Sequence, residues 1–208
     1  MPVITSVKQQ KNEKRVNIFL DGKFTFGIDL ENFIKFKLKE GKELTDEEVS
    51  IIIKKSEFQK TLDKLLKFVM TRPRSEKEVR DYLKRKKVPE TLNGDLFERL
   101  KYFELLDDIK FAKWWVEQRT TFKKKTKKII EQELKVKGIK IDIIKNVLSE
   151  TEIDELYLAK ELVNKKMYKW QKFDERTKKQ KISSFLQGKG FDWNIINEVL
   201  KLDDYVVE

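Results

Sequence analysis

Residues 105–119 read LLDDIKFAKWWVEQR, and the organisation of the whole chain follows from how this stretch is read. Asp107 and Asp108 follow two leucines and precede an aromatic run. Aspartate is a preferred helix N-cap, because its carboxylate accepts backbone N–H groups that the first turn leaves unpaired. A helix begun there carries Phe111, Trp115, Gln118 and Arg119 near one side. Trp114 and Trp115 are adjacent and do not share a face, so one is expected to turn from the main apolar stripe toward a second packing surface or a partner. Paired carboxylates also suit acid–base catalysis, but capping accounts for both residues without it.

Length and charge set the bounds. A chain of 208 residues holds one large domain or two small ones. Apolar residues make up 39% and charged residues 40%, which favours several thin layers over one thick core. The net charge is +11, an excess common in proteins that meet a polyanion, although lysine- and glutamate-rich surfaces also occur on thermophilic proteins. There is no Cys and no His, which removes disulfides, Cys/His zinc sites, thiol nucleophiles and histidine acid–base chemistry. No phosphate-cradling glycine loop or carboxylate set at metal spacing is present, so neither an enzyme nor a cofactor is expected. No stretch has signal-peptide or membrane-spanning character, and a cytoplasmic protein without membrane attachment is expected.

Before residue 45 the pattern is a hairpin. Val16–Leu20 and Lys23–Ile28 flank Asp21-Gly22, with Phe24 and Phe26 expected on one side. Ile4–Val7 is a candidate third strand. Asp29 should cap a helix through Phe33, Ile34 and Leu38, ending at Gly41. Thr45 and Glu48 form a capping-box pattern ahead of Val49, Ile52 and Ile53. Ser56 is expected to start a further helix carrying Phe58, Leu62, Leu65, Leu66 and Val69, ending at Thr71-Arg72-Pro73.

From there the chain repeats. Ser75 with Glu78 makes a second capping box before Val79, Tyr82 and Leu83; Thr126–Leu134 and Lys178–Leu186 fit the same frame. Ile143, Ile144, Val147 and Leu148 recur as Ile195, Ile196, Val199 and Leu200, with Leu96, Phe97 and Leu100 as a looser first copy. Turns at Lys87-Val88, Gly138-Ile139 and Gly190-Phe191 separate the paired helices, and glycine there suits a left-handed position. Phe111-Ala112 with Trp115-Val116 parallels Leu158-Ala159 with Leu162-Val163. The fold expected is mainly α: three tandem three-helix units with a period of about 50 residues, elongated and curved, after a small N-terminal β-hairpin region. The boundaries are 1–44 for the hairpin and its helix, then 45–108, 109–152 and 153–208 for the repeats. Trp115, Leu134 and Leu148 should be buried in the second repeat, and Leu162, Leu186 and Leu200 in the third.

Charge follows the repeat. Residues 67–88 hold nine basic against three acidic side chains, and residues 119–140 and 165–190 each hold nine against two. Equivalent positions of stacked repeats fall along one side, so the three segments are expected to merge into a stripe that contacts phosphates or a nucleoprotein surface. The residues assigned to it are Arg72, Arg74, Lys84, Arg85, Arg119, Lys123, Lys124, Lys125, Lys127, Lys128, Lys178 and Lys179. Of these, Arg74, Lys84, Lys124, Lys128 and Lys179 are expected to be mostly exposed. The arginines weigh more, because guanidinium binds phosphate or carboxylate bidentately. Tyr168, Trp170 and Phe173 lie within the third segment and are expected to pack a loop on the repeat rather than to stack on bases. Trp193 is read as a staple or an inter-repeat contact.

Three sets of residues carry a family resemblance: Arg72-Pro73-Arg74-Ser75 with Glu78 and Leu83; Leu106-Asp107-Asp108 with Phe111-Ala112, Trp115-Val116 and Arg119; and Gln132-Glu133-Leu134 with Lys137-Gly138. Over roughly residues 57–203 the chain resembles the RecX family of bacterial recombinase regulators. It departs at Lys87, where the family usually has Gly, and at Tyr102-Phe103-Glu104, which replaces a Leu-Gly approach to Leu105. The resemblance implies tandem three-helix repeats. It also implies binding to RecA and to its filament on single-stranded DNA, restraining filament growth, strand exchange and coprotease activity, and a monomer is expected. The competing reading is a free-standing helix-turn-helix-like DNA- or RNA-binding protein with sequence preference at base edges.

Overall fold

The computed structural model describes residues 1–11 and 13–202. Strands β1 (Ile4–Gln9), β2 (Arg15–Leu20) and β3 (Lys23–Asp29) come first. They are followed by α1 (Leu30–Lys35), α2 (Asp46–Met70), α3 (Glu76–Arg85), α4 (Asn93–Tyr102) and α5 (Asp108–Thr121). The remaining helices are α6 (Lys127–Val136), α7 (Ile141–Ser149), α8 (Glu155–Asn164), α9 (Glu175–Gly188) and α10 (Trp193–Leu202). The chain divides into two units, one of residues 1–72 with 79–105, the other of residues 73–78 with those from 106 onward.

In the first unit the sheet is antiparallel in the order β1-β2-β3, and Asp21-Gly22 turns with φ of 47° and 79°, the left-handed pair that matches strand twist. Ile4, Val16, Ile18, Leu20, Phe26 and Ile28 form its buried face, joined by Leu38, Leu44 and Ile52. Phe24 does not share the face of Phe26. The register shifts between Ile18↔Phe26 and Phe19↔Phe24, so Thr25 is an extra residue on β3. This bulge turns Phe24 outward, edge-on to Phe19 with ring centroids 5.8 Å apart.

Helix α1 is shorter than its apolar pattern suggests. Lys37 takes φ 49°, and the amides of Lys37 and Leu38 return to the carbonyls of Ile34 and Phe33. That is a Schellman closure, so buried Leu38 reaches the core from a turn and not from a helix.

The capping box at Thr45 and Glu48 is formed in both directions, at 3.1 and 2.8 Å. No second helix starts at Ser56; α2 runs unbroken for 25 residues. The Ser56 hydroxyl, buried, donates to the Gly27 carbonyl and accepts from Arg15 Nη2 at 2.9 Å, so it serves the sheet instead of a helix end. Helices α2, α3 and α4 bury Leu62, Leu65, Val69, Val79, Leu83, Leu96, Phe97 and Leu100, and Phe68 stacks on Tyr82 at 4.3 Å. Lys87 and Glu104 adopt φ of 54° and 55°, keeping the left-handed geometry that glycine would provide at the two places where the chain departs from its family pattern.

In the second unit, Asp107 caps α5 by accepting from the amides of Ile109 and Lys110. One core gathers Phe111, Ala112, Trp115, Val116, Ile130, Leu134, Ile144, Val147 and Leu148; Trp114 lies half-buried at its margin. A second core gathers Ala159, Val163, Trp170, Ile182, Leu186, Phe191, Ile196 and Val199. Leu162 and Leu200 are half-buried at its edge, not inside it. Trp170, delivered by the 3₁₀ turn Met167–Lys169, supplies the bulk expected from them. Trp170 and half-buried Phe173 pack the connecting loop as expected, whereas Tyr168 stays exposed.

The unit contains one joint twice. Ser75, the residue before α3, donates its hydroxyl to the Lys137 carbonyl at 2.8 Å, and Asp108 at the start of α5 accepts the Glu76 amide at 2.9 Å. Thr126, the N-cap of α6, donates to the Gly190 carbonyl at 3.3 Å, and Glu155 at the start of α8 accepts the Lys127 amide at 2.8 Å. Both hydroxyl residues are fully buried. Asp108 is therefore a cap for a neighbouring helix, which completes the non-catalytic account of the Asp pair. Gly138 and Gly190 have φ of 80° and 84°, and a Cβ on them would come within 2.8 Å of Lys77 and 2.6 Å of Ile129. Glycine is thus required twice over, by its dihedral and by the preceding helix lying against it. Lys87 begins the series, so only the dihedral applies there.

Candidate functional site

The second helix of each repeat, with the loop before it, carries the cations assigned from sequence. Lys84 and Arg85 lie exposed in the last turn of α3, where cations complement the helix C-terminus. The Arg85 guanidinium lies 5.9 Å from the Tyr82 ring centre. Lys123 and Lys128 are also exposed, Lys128 facing Asp192 at 3.5 Å. Lys125, Lys127, Lys178, Arg72, Arg74 and Lys179 are half-buried. Arg74, Lys124 and Lys179 are half-buried, less open than the sequence pattern suggests.

Two assigned residues are committed internally. Arg119 Nε donates to Glu133 Oε2 at 2.5 Å, and its guanidinium lies 3.9 Å from the Trp115 ring centre. Trp115 Nε1 donates to the same oxygen at 2.9 Å, and Lys137 Nζ stands 4.9 Å from the ring centre while pairing with Glu78 at 2.6 Å. Trp115, Arg119, Glu133 and Lys137 thus form one sandwich tied to the first joint, so the arginine acts as a strut here rather than a ready anion hook. Lys124 takes φ 48° and pairs with Glu161 on α8.

Glu161 also accepts from Lys165 Nζ at 2.7 Å, and hydrogen bonds from Lys124 and Lys165 hold its carboxyl below the ordinary carboxylate value. A carboxylate depressed in the fold adds stability above its unfolded pKa and loses it as pH falls through the folded value. Glu161→Gln should therefore lower the melting temperature at about pH 7 and lower it by less at about pH 2, as the carboxylate takes up its proton. Thermal melts at the two pH values check this, and an equal gap at both would contradict it.

Trp193, read from the sequence as a staple or an inter-repeat contact, is 60% exposed. It borders a cleft at the second joint with Lys128, Gln132 and Gln187. Its position after an N-terminal turn resembles a staple, yet the indole is left largely exposed at the border of this cleft. Among the described residues no helix is long and apolar enough to cross a membrane.

Four family models match the chain: Regulatory protein RecX N-terminal domain over residues 2–45, and the first, second and third RecX three-helix domains over residues 62–92, 107–148 and 153–200. Regulatory protein RecX of Bacillus velezensis is 35% identical over 207 residues, 99% of this chain and 79% of that one. The chain belongs to the RecX family of regulatory proteins. The Bacillus subtilis relative is likewise 35% identical over 207 residues, covering 99% of this chain and 78% of its own length. A crystal structure of regulatory protein RecX superposes with TM-score 0.72 at 28% identity, over 96% of this chain and 98% of that one. RecX from Lactobacillus salivarius shares the fold, with TM-score 0.64 at 24% identity over 72% of this chain and 98% of that one. The tandem three-helix architecture after a small sheet is thus a family property, and the Trp115–Arg119–Glu133 sandwich is built from the motifs that first suggested the family.

Proposed function

We propose that the protein regulates the RecA recombinase by binding RecA and its filament on single-stranded DNA, mostly restraining recombinase and coprotease activity. The observation that carries this reading is the exposed cationic set Lys84, Arg85, Lys123 and Lys128, on the second helices of the first two repeats and the loop before one of them, in a RecX-family chain. Exposed ammonium and guanidinium groups displace counterions from DNA phosphates and meet acidic protein surface equally well. Arg72, Arg74, Lys125, Lys127, Lys178 and Lys179, the half-buried members of the set, are less open to solvent than these. Binding in a filament groove would block or loosen adjoining subunits, with no bond made or broken. The protein acts in this reading as a soluble cytoplasmic monomer.

The test is the ATPase of RecA assembled on single-stranded DNA. Adding the protein at a small fraction of the RecA concentration should make ATP hydrolysis decline with time as filaments shorten. An unchanged rate at equimolar protein would reject the proposal and favour an independent nucleic-acid-binding protein.

A further inference from the structure

The second joint carries something the first lacks. Thr126 and Gly190 bring Lys128 on α6 beside Trp193 on α10, enclosing a cleft of about 500 Å³ bordered also by Gln132, Gln187 and Gly188. Trp193 corresponds to Ile141 at the first joint, since both stand three residues beyond the joint glycine. Ile141 is 42% exposed and serves there with a small aliphatic side chain, so the joint itself does not need an indole. An indole left 60% exposed loses much of the benefit of burial. Amide and charged groups border the cleft, Asp192 among them, beside the apolar Ile129, Phe191 and Ile196. Gln132 and Gln187 are exposed primary amides with both donor and acceptor atoms. A Cβ placed on Gly188 would meet nothing within 4 Å, so this border is open. Lys128 pairs with Asp192 at 3.5 Å, both side chains exposed, an interaction weak enough to be exchanged for a phosphate.

We propose that this cleft is a nucleobase-binding site: one base of single-stranded DNA stacks on Trp193, Gln132 and Gln187 meet its edge, and the adjoining phosphate engages Lys128. A flat aromatic face beside a cation is how single strands are held without strong sequence preference, because every base has a π-face. The site deepens the proposed function, since it rests on single-stranded DNA being part of the partner.

The test is fluorescence anisotropy at low ionic strength with two labelled probes of about 15 nucleotides, an oligothymidylate and an abasic strand with the same phosphates. The unaltered chain should bind oligothymidylate more tightly than the abasic strand. Trp193→Ala should weaken oligothymidylate binding about tenfold and leave the abasic strand unaffected. Trp193→Phe should fall between, and melts should show all three proteins equally folded. Equal affinity of the unaltered chain for both probes, no binding to either, or an equal loss on both in Trp193→Ala would overturn the site. RecA ATPase followed in parallel separates the two ideas: base-selective binding that depends on Trp193, without any effect on RecA, keeps the cleft and rejects the RecA reading.

Discussion

Leu134→Ala is expected to cost about 2–5 kcal/mol of folding stability, among the largest effects of any single core truncation in the chain. Leu134 is fully buried in a core with Phe111, Trp115 and Ile130, so the cavity left by three lost carbons has no solvent edge to collapse toward. Its position also matters locally. The Leu134 carbonyl accepts the Ile139 amide that closes α6, just beyond the Gly138 that seats the first joint. Leu186, equally buried and accepting from Phe191 in the same way, should behave alike in the third repeat. Leu162→Ala and Leu200→Ala, at half-buried positions, should each cost distinctly less. Denaturant unfolding checks the order, and equal losses at Leu134 and Leu162 would show the helix faces to be misassigned.

Reversing Lys84, Arg85, Lys123 and Lys128 to Glu, singly and then together, should leave the chain folded, with the α3 reversals costing about 0.3–1 kcal/mol each at the helix C-terminus and the others less. Binding to the RecA–DNA filament should fall stepwise, with the quadruple variant losing at least about a hundredfold. Each lost phosphate contact should also lower the salt-dependence slope by about one. Reversal of Glu152 or Asp154, exposed acidic residues outside the basic segments, should not weaken binding. Arg119→Glu should behave differently. It places a carboxylate against Glu133 and strips the Trp115 ring of its cation, so it should unfold the second repeat before it reports on binding. A quadruple variant that binds the filament like the unaltered chain would mean that these cations are only solvated.

The repeat is legible in the sequence because its joint is made of residues with narrow conformational roles. A buried hydroxyl before a helix and a glycine at a left-handed turn are rare enough that Ser75 with Gly138, and Thr126 with Gly190, stand out against helical periodicity. Local signals mislead where they have a distant partner. Ser56 looks like an N-cap, but its hydroxyl is taken by Gly27, 29 residues away. Phe24 alternates with Phe26 on paper, and a register shift set by the neighbouring strand turns it outward. Of the cations, sequence locates the segments but not which heads stay open to solvent. Arg119 and Lys124 look like their neighbours until Glu133 and Glu161 arrive from other helices. Trp193 is the converse, an aromatic that looks structural and is 60% exposed at the border of a cleft.

In the proposed function the working partner is the assembled filament and not bare nucleic acid. Sedimentation of the unaltered chain with RecA filaments on single-stranded DNA, against the same DNA without RecA, tests it most directly. At physiological salt the protein should pellet with the filament and stay in solution with bare DNA, whatever the sequence. Equal retention on bare DNA, with preference for particular sequences and no gain when RecA is added, would contradict the claim.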